Sequence, residues 1–212
     1  MKSDLTRTQK IKNRYNRLAF FYNFMEAPME WLRFETWRHR MAKKITGAAV
    51  LEVGVGTGKN LPYYPRGKTI TAIDFSAGML ARARKAAAKL STDVDLREMD
   101  VQDLNFPDNH FGTIFATFVF CSVPDPVKGL LELKRVCKPG GKLYLIEHMR
   151  PENPLLGFIF DMLNPLVVRI AGANINRRTV DNVRRAGWKI TLEEKLFADI
   201  VRWIEATPRT NV

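Results

Sequence analysis

The chain has 212 residues, 46% of them hydrophobic and 26% charged, which is material for one buried core and excludes wholesale disorder. Thirteen Gly and 11 Pro exclude a collagen-like or Pro-rich fibre. The two cysteines, Cys121 and Cys137, fit neither a disulfide framework nor a zinc pattern, so a reducing, cytoplasmic compartment is expected. Lys and Arg number 34 against 22 Asp and Glu, a net charge of +12 that draws the chain toward nucleic acid or phospholipid headgroups without choosing between them.

In chain order, the N-terminal stretch is polar, with no apolar run of the kind that opens a secretory signal. Residues 1–46 carry 11 Lys and Arg against four acids. Ile11, Tyr15, Leu18 and Tyr22 recur at helical spacing beside a basic stripe of Lys10, Arg14 and Arg17. A second helix is predicted over 29–44, with Trp31, Phe34, Trp37 and Met41, the break falling at Ala27 and Pro28. Basic faces with aromatic bodies suit a helix lying in a membrane interface. They suit a cap packed on the rest of the domain equally well. The segment is read as an N-terminal helical cap facing a membrane, followed by one domain over 47–212.

From residue 48 strands and helices alternate. Strands are predicted at 48–53, 69–75, 94–99, 112–120 and 143–148. Helices are predicted at 76–90, opened by Ser76 as N-cap, and at 126–137, stopped by Lys138-Pro139-Gly140-Gly141. Apolar strands joined by helices imply an α/β, doubly wound, mostly parallel sheet. The most apolar window is 154–173, inside an insert spanning 152–175. Asp161, Asn164 and Pro165 interrupt it, so it falls short of a membrane span. An apolar lid, a segment dipping into the interface and a plain core helix pair all remain open. A helix at 177–186 and strands at 189–196 and 199–206 close the chain.

The first strand runs into Gly54-Val55-Gly56-Thr57-Gly58, a turn that lets backbone approach a ligand at the carboxyl ends of the strands. Its third glycine comes one residue too early for a dinucleotide fingerprint, Lys59 standing in the expected place, and no Walker A lysine follows. Asp74 closes the second strand 20 residues after Gly54, where a carboxylate can take both hydroxyls of a ribose. Asp100, after the third strand, can reach an adenine amino group. Either acid could instead be an ordinary turn or loop carboxylate.

The set Glu52-Val53-Gly54-Val55-Gly56-Thr57-Gly58, Ile73-Asp74-Phe75-Ser76 with Met79-Leu80, Phe106-Pro107-Asp108 with Phe111, and Arg135 to Gly141 resembles the class I S-adenosylmethionine-dependent methyltransferases. The resemblance covers about residues 48–148. It implies a seven-stranded sheet with an antiparallel last strand, and S-adenosyl-L-methionine as cofactor. The glycine loop of Gly54, Gly56 and Gly58 would hold its methionine end, Asp74 its ribose, and Asp100 and Val101 its adenine, with Glu52, Phe75 and Met79 as further cofactor-binding residues. Phe118 would lie under the methionine part. Before the core, Arg14-Tyr15, Leu18-Ala19 and Tyr22 resemble bacterial phospholipid N-methyltransferases and quinone C-methyltransferases. Asn23, where the quinone group often has aspartate, weakens the second likeness.

Methyl transfer from a sulfonium asks the protein for positioning and proton removal, and no metal is expected. Tyr15, Tyr22 and His148 are the candidate catalytic residues. Glu147, Arg150, Arg177 and Arg178 are the candidate substrate-binding residues, the arginines for a phosphate. The expectation is a monomeric enzyme at the inner face of the membrane. It would methylate a phosphatidylethanolamine-type amine, with a hydrophobic thiol, quinol or natural product as the alternative acceptor. Phe118-Val119-Phe120-Cys121 after the fourth strand lacks the tetrapeptide of nucleic-acid methyltransferases, so no nucleic-acid partner is expected.

Overall fold

A computed structural model describes residues 34–209 together with Gln9. Tyr15 and Tyr22, and the helix expected around them, lie outside the described residues. Helix α1 (Glu35–Lys44) comes first and is followed by strand β1 (Ala49–Val53) and strand β2 (Thr69–Asp74). Both strands are buried on their two faces, the pattern of central parallel strands. Helix α2 (Ala77–Leu90) is opened by Ser76, whose hydroxyl accepts the Met79 N–H at 3.2 Å. Met79, Leu80, Ala83 and Ala87 form its buried face.

Strand β3 (Asp95–Glu98), strand β4 (Phe111–Thr117), helix α3 (Pro126–Val136) and strand β5 (Cys137–His148) complete the parallel half. Helix α4 (Pro154–Ala171), helix α5 (Thr179–Arg185), strand β6 (Trp188–Phe197) and strand β7 (Val201–Pro208) follow. The seven strands lie in the order β3-β2-β1-β4-β5-β7-β6, with β7 antiparallel to both neighbours. The order reverses between β1 and β4, and a ligand crevice belongs outside the carboxyl ends there.

Two boundaries differ from expectation for identifiable reasons. The fourth strand ends at Thr117 rather than 120. Phe118 takes a left-handed φ of 59°, and the N–H groups of Val119 and Phe120 turn to the Glu147 carboxylate instead of a neighbouring strand. The fifth strand begins at Cys137, six residues early. Its register against β4 jumps between Phe111 and Thr113, which leaves the Lys138–Gly141 excursion outside the ladder.

Helix α1 packs on one sheet face. Phe34, Trp37, Met41 and Ile45 bury against Val50, Phe115, Tyr144 and Trp203. This part of the N-terminal segment therefore shares the domain's core.

Helix α4 is not a core helix pair. It is one helix, capped by the Asn153 side chain on Leu156 N–H (3.1 Å) and ended by Gly172 at φ 79°. Leu155, Phe158, Ile159, Met162, Leu163, Leu166 and Ile170 are all exposed. At 100° per residue they fall in one arc of about 140°. Polar ties hold the helix: Asp161 accepts from Arg150 (2.9 Å) and Asn176 (3.0 Å), and Asn164 accepts the Ile175 N–H (2.9 Å). Its apolar side faces outward and its bonded side faces the protein, the reverse of a water-facing helix. Among the described residues no helix is long and apolar enough to cross a membrane.

Candidate cofactor and active site

The turn after β1 opens a cleft of about 900 Å³, open mouth included. Gly54 (φ 68°) packs closely against Val119 in the turn after β4. A Cβ there would press on the Val119 side chain and force it aside, in a backbone conformation that already favours glycine. Gly56 (φ 57°) looks into open space and donates its N–H to Asp74 Oδ2 at 2.9 Å. Asp74 Oδ1 accepts the Ser76 N–H, also at 2.9 Å. Burial pushes the Asp74 carboxyl up to about 6, outweighing these bonds. Each oxygen keeps acceptor capacity on its cleft side. Asp100 is held by Gln102, whose N–H (2.9 Å) and amide (3.0 Å) it accepts. The Gln102 side-chain Oε1 in turn accepts the Asp125 N–H (2.9 Å), which ties this corner to the start of α3.

Behind the glycine turn lies a buried polar chain. Arg38 of α1 donates to Asn60 Oδ1 at 2.6 Å. Asn60 donates to Glu52 Oε1 at 2.6 Å and to Thr117 Oγ1 at 3.1 Å, and the Tyr64 hydroxyl donates to Glu52 Oε2. Burial pushes the Glu52 carboxyl up to about 7, against the bonds of Tyr64 and Asn60 and the charge of Arg38.

A second buried acid braces the end of β4. Glu147 Oε1 accepts from Val119 N (2.9 Å) and Phe120 N (3.1 Å), while Oε2 is buried without a partner. Burial pushes this carboxyl up to about 7 too. The turn it holds presents Phe118, whose ring stacks on Phe34 (4.9 Å between centroids) and His148 (6.1 Å). Burial holds the His148 imidazole down to about 4, so it is uncharged across the neutral range.

Gly54, Gly56, Asp74, Phe75, Met79, Asp100, Val101 and Phe118 line this one cleft. Glu52, Gly58, Glu147 and His148 stand behind its wall. The three arginines do not meet at the cleft: Arg150 and Arg178 line another cavity together, and Arg177 lines neither. Arg150 is committed to Asp161, and Arg177 donates to the Val123 carbonyl at 2.6 Å. Arg178 faces that second cavity with Arg150, Glu193 and Arg202, where Arg202 pairs with Glu152, Glu193 and Asp199 while its Nε is buried without a partner. Sequence reasoning missed Arg38, Thr57, Lys59, Asn60, Thr117 and Ser122, which also line the cleft. The only signal for Arg38 was its place between Trp37 and Met41 on the apolar side of α1.

A doubly wound sheet with a glycine turn at its switch point and a buried carboxylate one strand away defines an enzyme that holds a nucleoside cofactor. Residues 51–145 match the family described as Methyltransferase domain. The chain is 42% identical over 148 residues to a phosphatidylethanolamine N-methyltransferase of Cereibacter sphaeroides, covering 68% of this chain and 71% of that protein. It is 28% identical over 173 residues to a ubiquinone/menaquinone biosynthesis C-methyltransferase of Geotalea daltonii, covering 77% and 74%. Its fold matches a SAM-dependent methyltransferase of Aquifex aeolicus with a TM-score of 0.60 at 23% identity, over 81% of this chain and 89% of that one. The chain belongs to the S-adenosylmethionine-dependent methyltransferases.

The cleft suits that cofactor on its own evidence. The strands beside β1 set polar groups in a row, with Asp100 after β3, Asp74 at the end of β2, Gly54 after β1 and Thr117 at the end of β4. Neighbouring strands are about 4.8 Å apart, so the row spans an adenosine and its amino-acid tail. Gly56 leaves open the space a Cβ would fill, and Asp74 keeps two acceptors for vicinal hydroxyls.

Proposed function

We propose that the enzyme methylates the amine of a phosphatidylethanolamine-type phospholipid at the cytoplasmic surface of a membrane. The observation that carries this reading is helix α4. It follows directly from β5 on the ligand side of the sheet and turns its apolar arc outward. Its return loop is fastened to the wall of the cleft, where Asn174 donates both its N–H (2.8 Å) and its amide (2.9 Å) to the Cys121 carbonyl. A lipid layer against α4 would therefore bring headgroups beside the cleft. The net charge of +12 supports adhesion to anionic lipid, at about 1 kcal/mol for each Lys or Arg close to the surface. The phosphatidylethanolamine N-methyltransferase of Cereibacter sphaeroides supports the same substrate class.

When bound, S-adenosylmethionine supplies an electrophilic methyl group on a sulfonium. The residues of this chain supply geometry. Asp74 takes the ribose, Asp100 and Val101 take the adenine, and the glycine turn admits the methionyl end. Phe118, fixed by the Glu147 clamp, closes the cleft wall beside the acceptor. His148, uncharged at neutral pH, backs the Phe118 ring from behind the wall, and the acceptor amine attacks the methyl group after its ammonium has given up a proton to water. Tyr15 and Tyr22 would approach from the N-terminal segment.

The second reading, C-methylation of a quinol, rests on the quinone-biosynthesis relative. Mass spectrometry of lipid extracts separates the two. Vesicles of phosphatidylethanolamine with anionic lipid should yield N-methylated phospholipid. Product from a demethylated quinol alone, with no phospholipid product, would replace the first reading with the second.

A further inference from the structure

The cavity that Arg150 and Arg178 share has a volume of about 720 Å³, open mouth included, and no lining residue in common with the cofactor cleft. Arginines and carboxylates both line it, and their pairing decides its character. The inner wall is Arg202 of β7, only 3% exposed, a charge that needs compensation at that depth. Glu152, Glu193 and Asp199 supply it, and Lys195 takes the other oxygen of Glu152. Arg150 is engaged by Asp161. The rim is different. Arg178, the exposed residue before α5, makes no ion pair or side-chain hydrogen bond among the described residues and feels Asp161 only at longer range. Arg184 stands 3.6 Å from both Asp181 and Glu193, beyond hydrogen-bonding distance, with its side chain 56% exposed. Positions 178, 181 and 184 follow one side of this short helix. Two guanidinium forks are thus presented at one rim.

The same rim is where the chain enters α4. Pro151 and Glu152 line the cavity, and the helix begins at Pro154. With the apolar arc of α4 against lipid, the reading on which this inference rests, the rim lies at headgroup level. We propose that Arg178 and Arg184 hold the phosphate diester of an anionic phospholipid, a second lipid molecule beside the one whose amine is methylated. A guanidinium pairs two N–H groups with two phosphate oxygens, so two forks can close on one diester. Phosphatidylglycerol offers that diester with no ammonium to offset it. Asp181, between the two arginines, is the one charge at the rim that opposes the site.

Co-sedimentation of the full chain with two vesicle sets tests this: phosphatidylethanolamine with phosphatidylcholine, and the same mixture with phosphatidylglycerol added. The wild type should bind both sets and prefer the acidic one. Arg178→Gln with Arg184→Gln should cut that preference by about 30-fold, the worth of two charges at a headgroup layer, and leave binding to the first set unchanged. Lys85→Gln with Lys89→Gln removes equal charge from exposed positions of α2, beside the opposite edge of the sheet, and should keep the preference within about threefold. Asp181→Asn should raise it by about threefold. Cofactor titration confirms that each variant is folded, since none of these residues lines the cleft. An arginine double variant that keeps the preference, or loses no more than the α2 pair, overturns the proposal and leaves the docking of α4 standing. So does a wild type that binds both sets equally. A wild type that binds neither set removes the docking of α4, and the proposal with it. Inorganic phosphate, added against chloride at equal ionic strength, should not displace the protein from acidic vesicles. Displacement would overturn the lipid and assign the site to free phosphate.

Discussion

Two regions of this enzyme place polar and apolar groups against the usual rule, in opposite senses. Around the cleft, Glu52, Asp74 and Glu147 are carboxylates drawn into the interior, and burial raises all three. On α4, seven large apolar side chains are held out of it. The first region is maintained by hydrogen bonds from backbone and from Asn60 and Tyr64. The second is maintained by Arg150, Asn164 and Asn176, which fasten the helix so that its apolar side cannot turn in. Both arrangements cost folding free energy; a cofactor in the cleft accounts for the first, and the proposed lipid layer on α4 would account for the second.

Removing either partner's foothold should separate the two. Asp74→Ala deletes the acceptor for the ribose hydroxyls. Cofactor affinity should fall by about 100-fold or more, since hydrogen bonds to a charged group contribute about 1.5–3 kcal/mol each. Calorimetry checks the affinity, and vesicle binding of the same variant should be unchanged. The converse variant carries Phe158→Ser, Met162→Ser and Leu166→Ser. Each side chain withdrawn from lipid forfeits about 1.5–3 kcal/mol, so partition onto anionic vesicles should drop by roughly 1,000-fold or more. Its cofactor affinity should stay within a factor of about two, because α4 lines no part of the cleft. Wild-type partition would show that another surface meets the membrane.

The interior acids make a smaller prediction with a definite sign. Glu147 titrates near 7 in the folded enzyme against an ordinary 4.5, so the stability it lends is fully present below about pH 4.5 and is lost as pH rises through 7. Glu147→Gln keeps an acceptor for Val119 and Phe120 and never ionises. It should exceed the wild type by on the order of 2 kcal/mol in urea unfolding at pH 8.5 and match it at pH 5. His148 adds the opposite slope at lower pH. Held near 4, it lends stability above 6.5 that is lost as pH falls through 4, so His148→Phe should flatten the acid limb by about 1 kcal/mol at pH 5.

The cleft and α4 also differ in how far the sequence disclosed them. The glycine turn and Asp74 were legible because strand, turn and helix follow one another within 25 residues, so local pattern reports the crevice. Arg38 was not, since its partner Asn60 is 22 residues away and its burial contradicts the expectation that arginine is exposed. The end of β4 was overrun because Val119 and Phe120 look like strand residues. Only Glu147, reaching over from β5, bends them away. For α4 the sequence carried the apolar stripe but not its direction. Periodicity marks a face, and the tertiary ties of Asp161 and Asn164 decide which way it points.

The row of subsites is the claim on which the rest depends, and a crystal structure with S-adenosylhomocysteine tests it most directly. The account predicts adenine at Asp100 and Val101, both ribose hydroxyls on the Asp74 carboxylate, and the homocysteine tail between Gly54 and Thr117. A nucleoside bound away from Asp74, or lying with its adenine at the β4 end, would contradict it.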